Sequence, residues 1–245
     1  MKAAVVIPAR YASTRYPGKP LIKLLGKPMI LWVAELCAKA VGRDCVYIAT
    51  DDERIENVVQ NAGYQSVWTE KAATGTDRIA QAALKIEADI IINVQGDEPL
   101  INPEDITNVI KAKQQYPGEV INGYCYLGEW EDPFSVNIPK VVCTEQGKLV
   151  YMSRLAVPGF KDSENAPSQY KKQVCIYAFN KTELEKYASA PRKSEVEHSE
   201  DIEILRFFEF DIPVRMVETS PGSLAVDCPE DVVGVEKALR ELHGL

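Results

Sequence analysis

The 245 residues include only two histidines, His198 and His243. That shortage argues against a His-rich metal site and against a triad built on an imidazole base. The six cysteines are scattered, with no Cys-x-x-Cys pair and no Cys/His cluster. They read as reduced, partly buried thiols of a cytoplasmic protein. Basic charge is also short. With 28 Lys and Arg against 36 Asp and Glu, the net charge is −8. A nucleic-acid binder would show a basic excess or a basic stripe, and neither is present. No apolar run reaches the roughly 18 residues that a membrane span needs. The N-terminus makes a poor signal peptide, because its apolar stretch (residues 3–7) is followed at once by Pro8 and Arg10. There is no internal repeat and no low-complexity tract.

What is present is a core-forming composition, 46% apolar and 26% charged, ordinary for a globular protein. The length fits one α/β domain, or one domain carrying a sizeable insertion. The chain opens on Ala3-Ala4-Val5-Val6-Ile7, a buried strand, and then on a loop with three basic side chains in ten positions, Arg10, Arg15 and Lys19. Pro, Gly and Ser fill the loop, so it is no amphipathic helix. It lacks the G-x-x-x-x-G-K-[ST] spacing of a Walker A loop. A cationic loop at the C-terminal end of a first strand suits a polyphosphate; a merely solvated basic loop is the plain alternative.

Apolar spacing predicts a helix over residues 28–41, a strand over 45–50 and a helix over 53–62 that Asp52 can cap and Gly63 ends. A short strand over 65–68, a helix from Thr74 to about 87 and a buried strand over 89–94 follow. This β-α-β alternation predicts an open, mostly parallel sheet with right-handed crossovers. Ligands gather at the C-terminal strand ends of such a sheet. Here those ends are residues 10–19, Asp51-Asp52 and Gln95-Gly96-Asp97-Glu98-Pro99. After a helix over 102–115 the pattern turns to short strands, and residues 118–180 read as a smaller mixed β lobe. Helices are expected over 181–189 and, as one continuous element, over 194–208. A last strand covers 214–218, and a C-terminal helix starts near Asp227-Cys228-Pro229.

Asp97 follows a buried strand and is expected beside the cationic loop. A carboxylate there makes sense if Mg²⁺ links it to phosphate oxygens, though a turn that uses Gly96 and Asp97 for backbone reasons would look the same. Asp227 is a second carboxylate candidate, equally readable as a helix cap. Five carboxylates lie between Glu195 and Glu203. They suit a helix N-terminus and a solvated face unless hydroxyls or an amine meet them.

Taken together, Ile7-Pro8-Ala9-Arg10-Tyr11-Ala12-Ser13-Thr14-Arg15, Pro17-Gly18-Lys19-Pro20-Leu21, Thr74-Gly75-Thr76-Asp77-Arg78, Asn93-Val94-Gln95-Gly96-Asp97-Glu98-Pro99, Tyr151-Met152-Ser153-Arg154 and Val226-Asp227-Cys228-Pro229-Glu230-Asp231 resemble the 3-deoxy-manno-octulosonate (Kdo) cytidylyltransferases over nearly the whole chain. The resemblance implies transfer of CMP from CTP to a 3-deoxy-octulosonate, with Mg²⁺ and release of pyrophosphate; because a metal can lower the pKa of the attacking hydroxyl and no histidine base is needed, direct attack without a covalent enzyme intermediate is expected. It implies a Rossmann-like sheet with helices on both faces and a homodimer built through the smaller lobe, serving lipopolysaccharide synthesis. By matching position, Arg10, Ser13 and Lys19 would hold the triphosphate, Thr74, Gly75, Arg78 and Gln95 would surround the cytidine, and Pro8 and Ala9 would also bind CTP. Asp97 and Asp227 would hold the metal. Lys19, Arg10, Asp97 and Asp227 would form the catalytic set. Arg154, Gln173, Tyr177, Glu197, Glu200 and Asp201 would face the sugar. A cytidylyltransferase for a sialic-acid-type sugar would share the nucleotide half, as would a regulatory nucleotide-binding domain.

The chain departs from the family on the sugar side. Gln173 stands where members carry His, and Ser199 and Asp201 replace apolar residues. An added carboxylate suits a substrate with an added cation, such as the 8-amino analogue of Kdo. Asp201 facing solvent, with ordinary Kdo as the substrate, is the other reading.

Overall fold

A computed structural model describes residues 1–12, 16–221, 224–226 and 228–244. Its elements are β1 (Ala3–Ala9), β2 (Lys23–Leu24), β3 (Lys27–Pro28), α1 (Met29–Val41), β4 (Val46–Thr50), α2 (Glu53–Asn61), β5 (Gln65–Trp68), α3 (Gly75–Ala83), β6 (Ile90–Val94), α4 (Pro103–Gln115), β7 (Val120–Tyr126), β8 (Lys140–Cys143), β9 (Leu149–Ser153), β10 (Lys171–Phe179), α5 (Lys181–Ser189), α6 (Glu195–Glu200), β11 (Val214–Glu218) and α7 (Asp231–His243).

The main sheet runs β11-β7-β10-β6-β1-β4-β5. From β6 to β5 it is wholly parallel, with Val5 opposite both Val46 and Ile92. Strand β10 runs antiparallel to β6 and β7, and β11 is again parallel to β7. Along β1, Val5 and Ile7 join one core cluster while Ala4 and Val6 join the other. That is the two-residue period of a strand covered on both faces. Helices α1, α2 and α4 supply Val33, Ile55 and Val109 to the first cluster; α3 and α5 supply Ile79 and Leu184 to the second. The expected α/β architecture is present.

Strand order fixes where a ligand can sit. From β1 the chain passes through α1 to β4 on one side, and from β5 through α3 to β6 on the other. The reversal opens a crevice beyond the C-terminal ends of β1 and β6. Those ends are Ala9-Arg10 and Gln95-Gly96-Asp97.

Three expectations need correction. Strands β7 and β10 are interior strands of the main sheet, and the β8-β9 hairpin joins the same sheet by pairing β8 with the start of β10. The helix expected over 194–208 is broken. It stops at Glu200, Asp201 adopts a left-handed backbone (φ 50°), and Glu203–Phe210 continues as a 3₁₀ helix. The break lets Glu200 and Glu203 reach different partners. An aspartate tolerates that backbone better than most residues. The C-terminal helix starts at Asp231, later than expected, after a turn whose Cys228 N–H donates to the Asp231 carboxylate at 2.8 Å. Asp52, Asn102 and Asn180 cap α2, α4 and α5 through their side chains. No helix of the described residues is long and apolar enough to cross a membrane.

Candidate active site

A cavity of about 550 Å³ opens at the crevice between β1 and β6. That is the size range of a small-molecule site. Pro8, Ala9 and Arg10 enter it from the end of β1. The chain then loops back. Gly18 N–H donates to the Tyr11 carbonyl at 2.9 Å, and Gly18 takes a left-handed φ of 72° that a side chain would strain. The following 3₁₀ turn, Lys19–Leu21, returns Lys19 to the cavity. Its ammonium donates to Asp97 Oδ2 at 2.5 Å. The loop cation and the β6 carboxylate, separated by 78 positions, thus meet inside the cavity.

Gly96 makes that approach possible. A Cβ there would lie 3.1 Å from the Pro8 carbonyl and 3.2 Å from Ile30 Cδ1. Asp97 is also tied to the chain's last segment, because Val226 N–H donates to the Asp97 carbonyl at 3.0 Å. Ser13 and Asp227, expected at the triphosphate and the metal, lie outside the described residues.

The N-terminus of α3 forms a second wall. Thr74 caps it, accepting from Asp77 N–H at 3.1 Å. Gly75 lies close under Gln95 and Glu203, 3.4 Å and 3.7 Å from where its Cβ would stand. Arg78 lines the cavity with its guanidinium fixed from behind, donating to Thr69 Oγ1 and to Asp51 Oδ2 at 2.9 Å. Asp51, just past the end of β4, holds Arg78 in this position. Glu203 also lines the cavity. Its carboxylate accepts from Gly75 N–H at 3.2 Å and Thr76 N–H at 2.8 Å, a placement the helix dipole favours. Nothing in an acidic run singled Glu203 out; the helix break at Asp201 aims it here.

The far wall comes from the loops that flank the β8-β9 hairpin and from the end of α6. Asn137, Arg154 and Asp201 line it. Arg154 follows β9, and its guanidinium donates to three carbonyls, those of Glu200, Val136 and Asp201. Glu200 does not line the cavity. Its carboxylate binds Tyr151 OH, Ser153 Oγ and Arg154 N–H, fastening α6 to β9. Burial raises the Glu200 pKa, but these donors outweigh it and hold the carboxyl below its ordinary value. Asp201 is exposed and pairs with Lys193 at 2.6 Å. That hydrogen bond, and then the lysine charge, lower its pKa.

The remaining sugar-side expectations are placed elsewhere. Gln173 donates to Asn122 Oδ1 at 3.0 Å and to Tyr177 OH at 3.3 Å, and the buried Tyr177 ring stacks on Phe179. Neither lines the cavity. Glu197 is a correction: it is wholly buried, and both carboxylate oxygens accept from Arg206 at 2.6 Å. Sequence spacing saw its charge but not that the helix turns this face inward. Asn137 carried no signal of its own. No group of three or more His, Cys, Asp or Glu side chains that could hold a metal occurs among the described residues.

A cavity at the switch point, cationic at the β1 loop and carrying a carboxylate at the end of β6, suits a phosphate ester and a second polar reactant. The family described as Cytidylyltransferase matches residues 4–212. The 3-deoxy-manno-octulosonate cytidylyltransferase of Syntrophotalea carbinolica is 40% identical, over 99% of this chain and 100% of its own. The 8-amino-3,8-dideoxy-manno-octulosonate cytidylyltransferase of Shewanella oneidensis is 37% identical, over 98% of this chain and 99% of its own. Among solved structures, that of CMP:2-keto-3-deoxy-manno-octonic acid synthetase complexed with CTP superposes with a TM-score of 0.92 at 36% identity. It covers 99% of this chain and 100% of that one.

Proposed function

The chain belongs to the cytidylyltransferase family, and from that premise we propose that it transfers CMP from CTP to the anomeric hydroxyl of a 3-deoxy-octulosonate. The observation that carries this reading is the Lys19–Asp97 pair, set in one cavity with Arg10 on one side and Arg154 on the other. In the reaction the anomeric oxygen bonds to the α-phosphorus and the bond from that phosphorus to the bridging oxygen breaks. Pyrophosphate leaves with the electron pair, and the hydroxyl proton passes to solvent. Arg10 and Lys19 offset charge on the phosphates, which is most of what phosphoryl transfer asks of a protein. Arg78, Gln95 and Gly75 form the wall for the cytidine. Arg154 has five N–H groups, and three go to carbonyls among the described residues; two are left for the sugar acid's carboxylate.

Mg²⁺ fits the donors present. Asp97 offers a hard carboxylate oxygen in the cavity, and this ion prefers one or two carboxylates with substrate phosphates. Asp97, with Asp227, would hold it. When bound, it offsets phosphate charge and makes an attacking hydroxyl more acidic. Pyrophosphate should appear only when CTP, a divalent cation and the sugar acid are combined. No cytidylylated enzyme should accumulate when the sugar is left out, and trapping one would replace direct attack by a two-step route.

One observation favours the 8-amino sugar as acceptor: Asp201 lines the cavity, and its carboxylate already holds an ammonium, that of Lys193. A sugar ammonium would take the place of the lysine. On this reading kcat/KM for the 8-amino sugar exceeds that for Kdo, and Asp201→Asn removes the difference. A parent chain that prefers Kdo returns Asp201 to a surface role.

The working unit is a homodimer of the cytoplasm, with its product activated for lipopolysaccharide synthesis. Trp130, Phe134 and Leu155 are 80%, 69% and 69% exposed on the loops that flank the β8-β9 hairpin. Large apolar groups left exposed in this way suit a second copy. Trp130→Ser is expected to shift the sedimenting mass from dimer to monomer. A parent chain that already sediments as a monomer contradicts this.

A further inference from the structure

Lys140, the first residue of β8, is wholly buried, and the reaction proposed above makes no use of it. Burial, and after it the Arg154 guanidinium, lower its pKa below the ordinary lysine value. An ammonium has three N–H groups. Those of Lys140 go to three backbone carbonyls, Ser135 at 2.8 Å, Ile138 at 2.6 Å and Arg154 at 2.5 Å. No ion pair joins it to a carboxylate among the described residues. Burying a cation for the sake of main-chain carbonyls is a costly way to hold a loop. What it secures is geometry.

Ser135 and Ile138 close a turn, with Ile138 N–H donating to the Ser135 carbonyl at 3.2 Å. The carbonyl between them, that of Val136, accepts from Arg154 Nη1 at 2.9 Å. Two cations therefore grip one turn, and Lys140 also grips the backbone of the other cation. Within that turn Asn137 lines the cavity, as Arg154 does. The turn and Arg154 come from separate segments, and the Lys140 ammonium is bonded to both.

We propose that Lys140 is a positioning residue for the acceptor wall: it sets Asn137 and Arg154 at a fixed spacing, so that the sugar acid meets a preformed surface. The proposal rests on the acceptor lying against Arg154, as read above. Removing the ammonium leaves three carbonyls without their donor and loosens that wall, while the nucleotide half, built on β1, β6 and α3, is untouched.

Lys140→Met and the milder Lys140→Gln separate this role from a merely structural one. In each, KM for the sugar acid is expected to rise roughly tenfold while the calorimetric Kd for CTP stays within about twofold. Hydrogen exchange is expected to quicken at residues 135–138 and 154–155 and to stay unchanged in α3. If the methionine variant fails to fold, the glutamine variant decides. An unchanged acceptor KM in a folded variant, or CTP binding that weakens in step with it, overturns the proposal, as does unchanged exchange in the turn. A parent chain that turns over no sugar acid refutes the proposed function instead, and the exchange measurement then still decides whether Lys140 holds the turn.

Discussion

Asp97→Asn is expected to lower turnover roughly a hundred- to a thousandfold, the scale seen when one preorganised electrostatic group is removed from an active site. The substitution keeps the volume, and its amide oxygen can still accept from Lys19 Nζ, which now stands 2.5 Å from Oδ2. Only the charge is lost. Asp97 follows β6 in a turn whose backbone is held by Gly96 and by the Val226 N–H, and neither contact uses the side chain. The fold should therefore survive, with a melting temperature close to that of the parent. CTP should bind the variant at least as well without metal, because one negative charge facing the triphosphate has gone. Turnover should also demand a higher Mg²⁺ concentration. The measurements are pyrophosphate release across a Mg²⁺ titration and CTP calorimetry in chelator. Near-parental turnover at ordinary Mg²⁺ would remove Asp97 from the metal and leave it as the partner of Lys19 alone.

The half of this cavity proposed for the nucleotide was readable because each part of it is local. Strand β1 shows its character in five consecutive apolar residues, and a strand's C-terminal end is a fixed place in a parallel sheet. Pro8, Arg10, Lys19, Gly75, Arg78, Gln95 and Asp97 all line one cavity because they sit at such ends or at the cap of α3. The acceptor half depends on tertiary detail. A left-handed Asp201 splits one predicted helix in two. Within α6 Glu197 turns into the core and Glu200 meets β9, and past the break Glu203 reaches α3, although the three charges look alike in sequence. Gln173 and Tyr177 sit on β10, which read as part of a separate lobe. Its place between β6 and β7 follows only from sheet pairing, and propensity does not report pairing partners.

Arg206→Met should be the most destabilising of the substitutions considered, and its cause bears on the acceptor assignment. The Arg206 guanidinium gives Nε and Nη2 to the two oxygens of Glu197, each at 2.6 Å, and Nη1 to Asp77 Oδ1 at 3.1 Å. It lies 3.8 Å from the Tyr187 ring centroid, and Tyr187 OH donates to Glu197 at 3.4 Å. Glu197 has no exposed surface. Taking away the arginine strands a carboxylate in the core, a change that costs about 3–5 kcal/mol, whereas replacing both partners by apolar groups is often close to neutral. For a chain of this length each kcal/mol is worth about 2–4 °C. The single variant should melt about 10 °C or more below the parent, and Glu197→Met/Arg206→Met should recover most of the loss. Because Asp77 and the cap residue Thr74 belong to the N-terminus of α3, the wall proposed for the nucleotide, the single variant should also weaken CTP binding before it weakens the acceptor's. A Glu197 variant that melts like the parent but has lost affinity for the sugar acid would put that carboxylate back in the acceptor pocket.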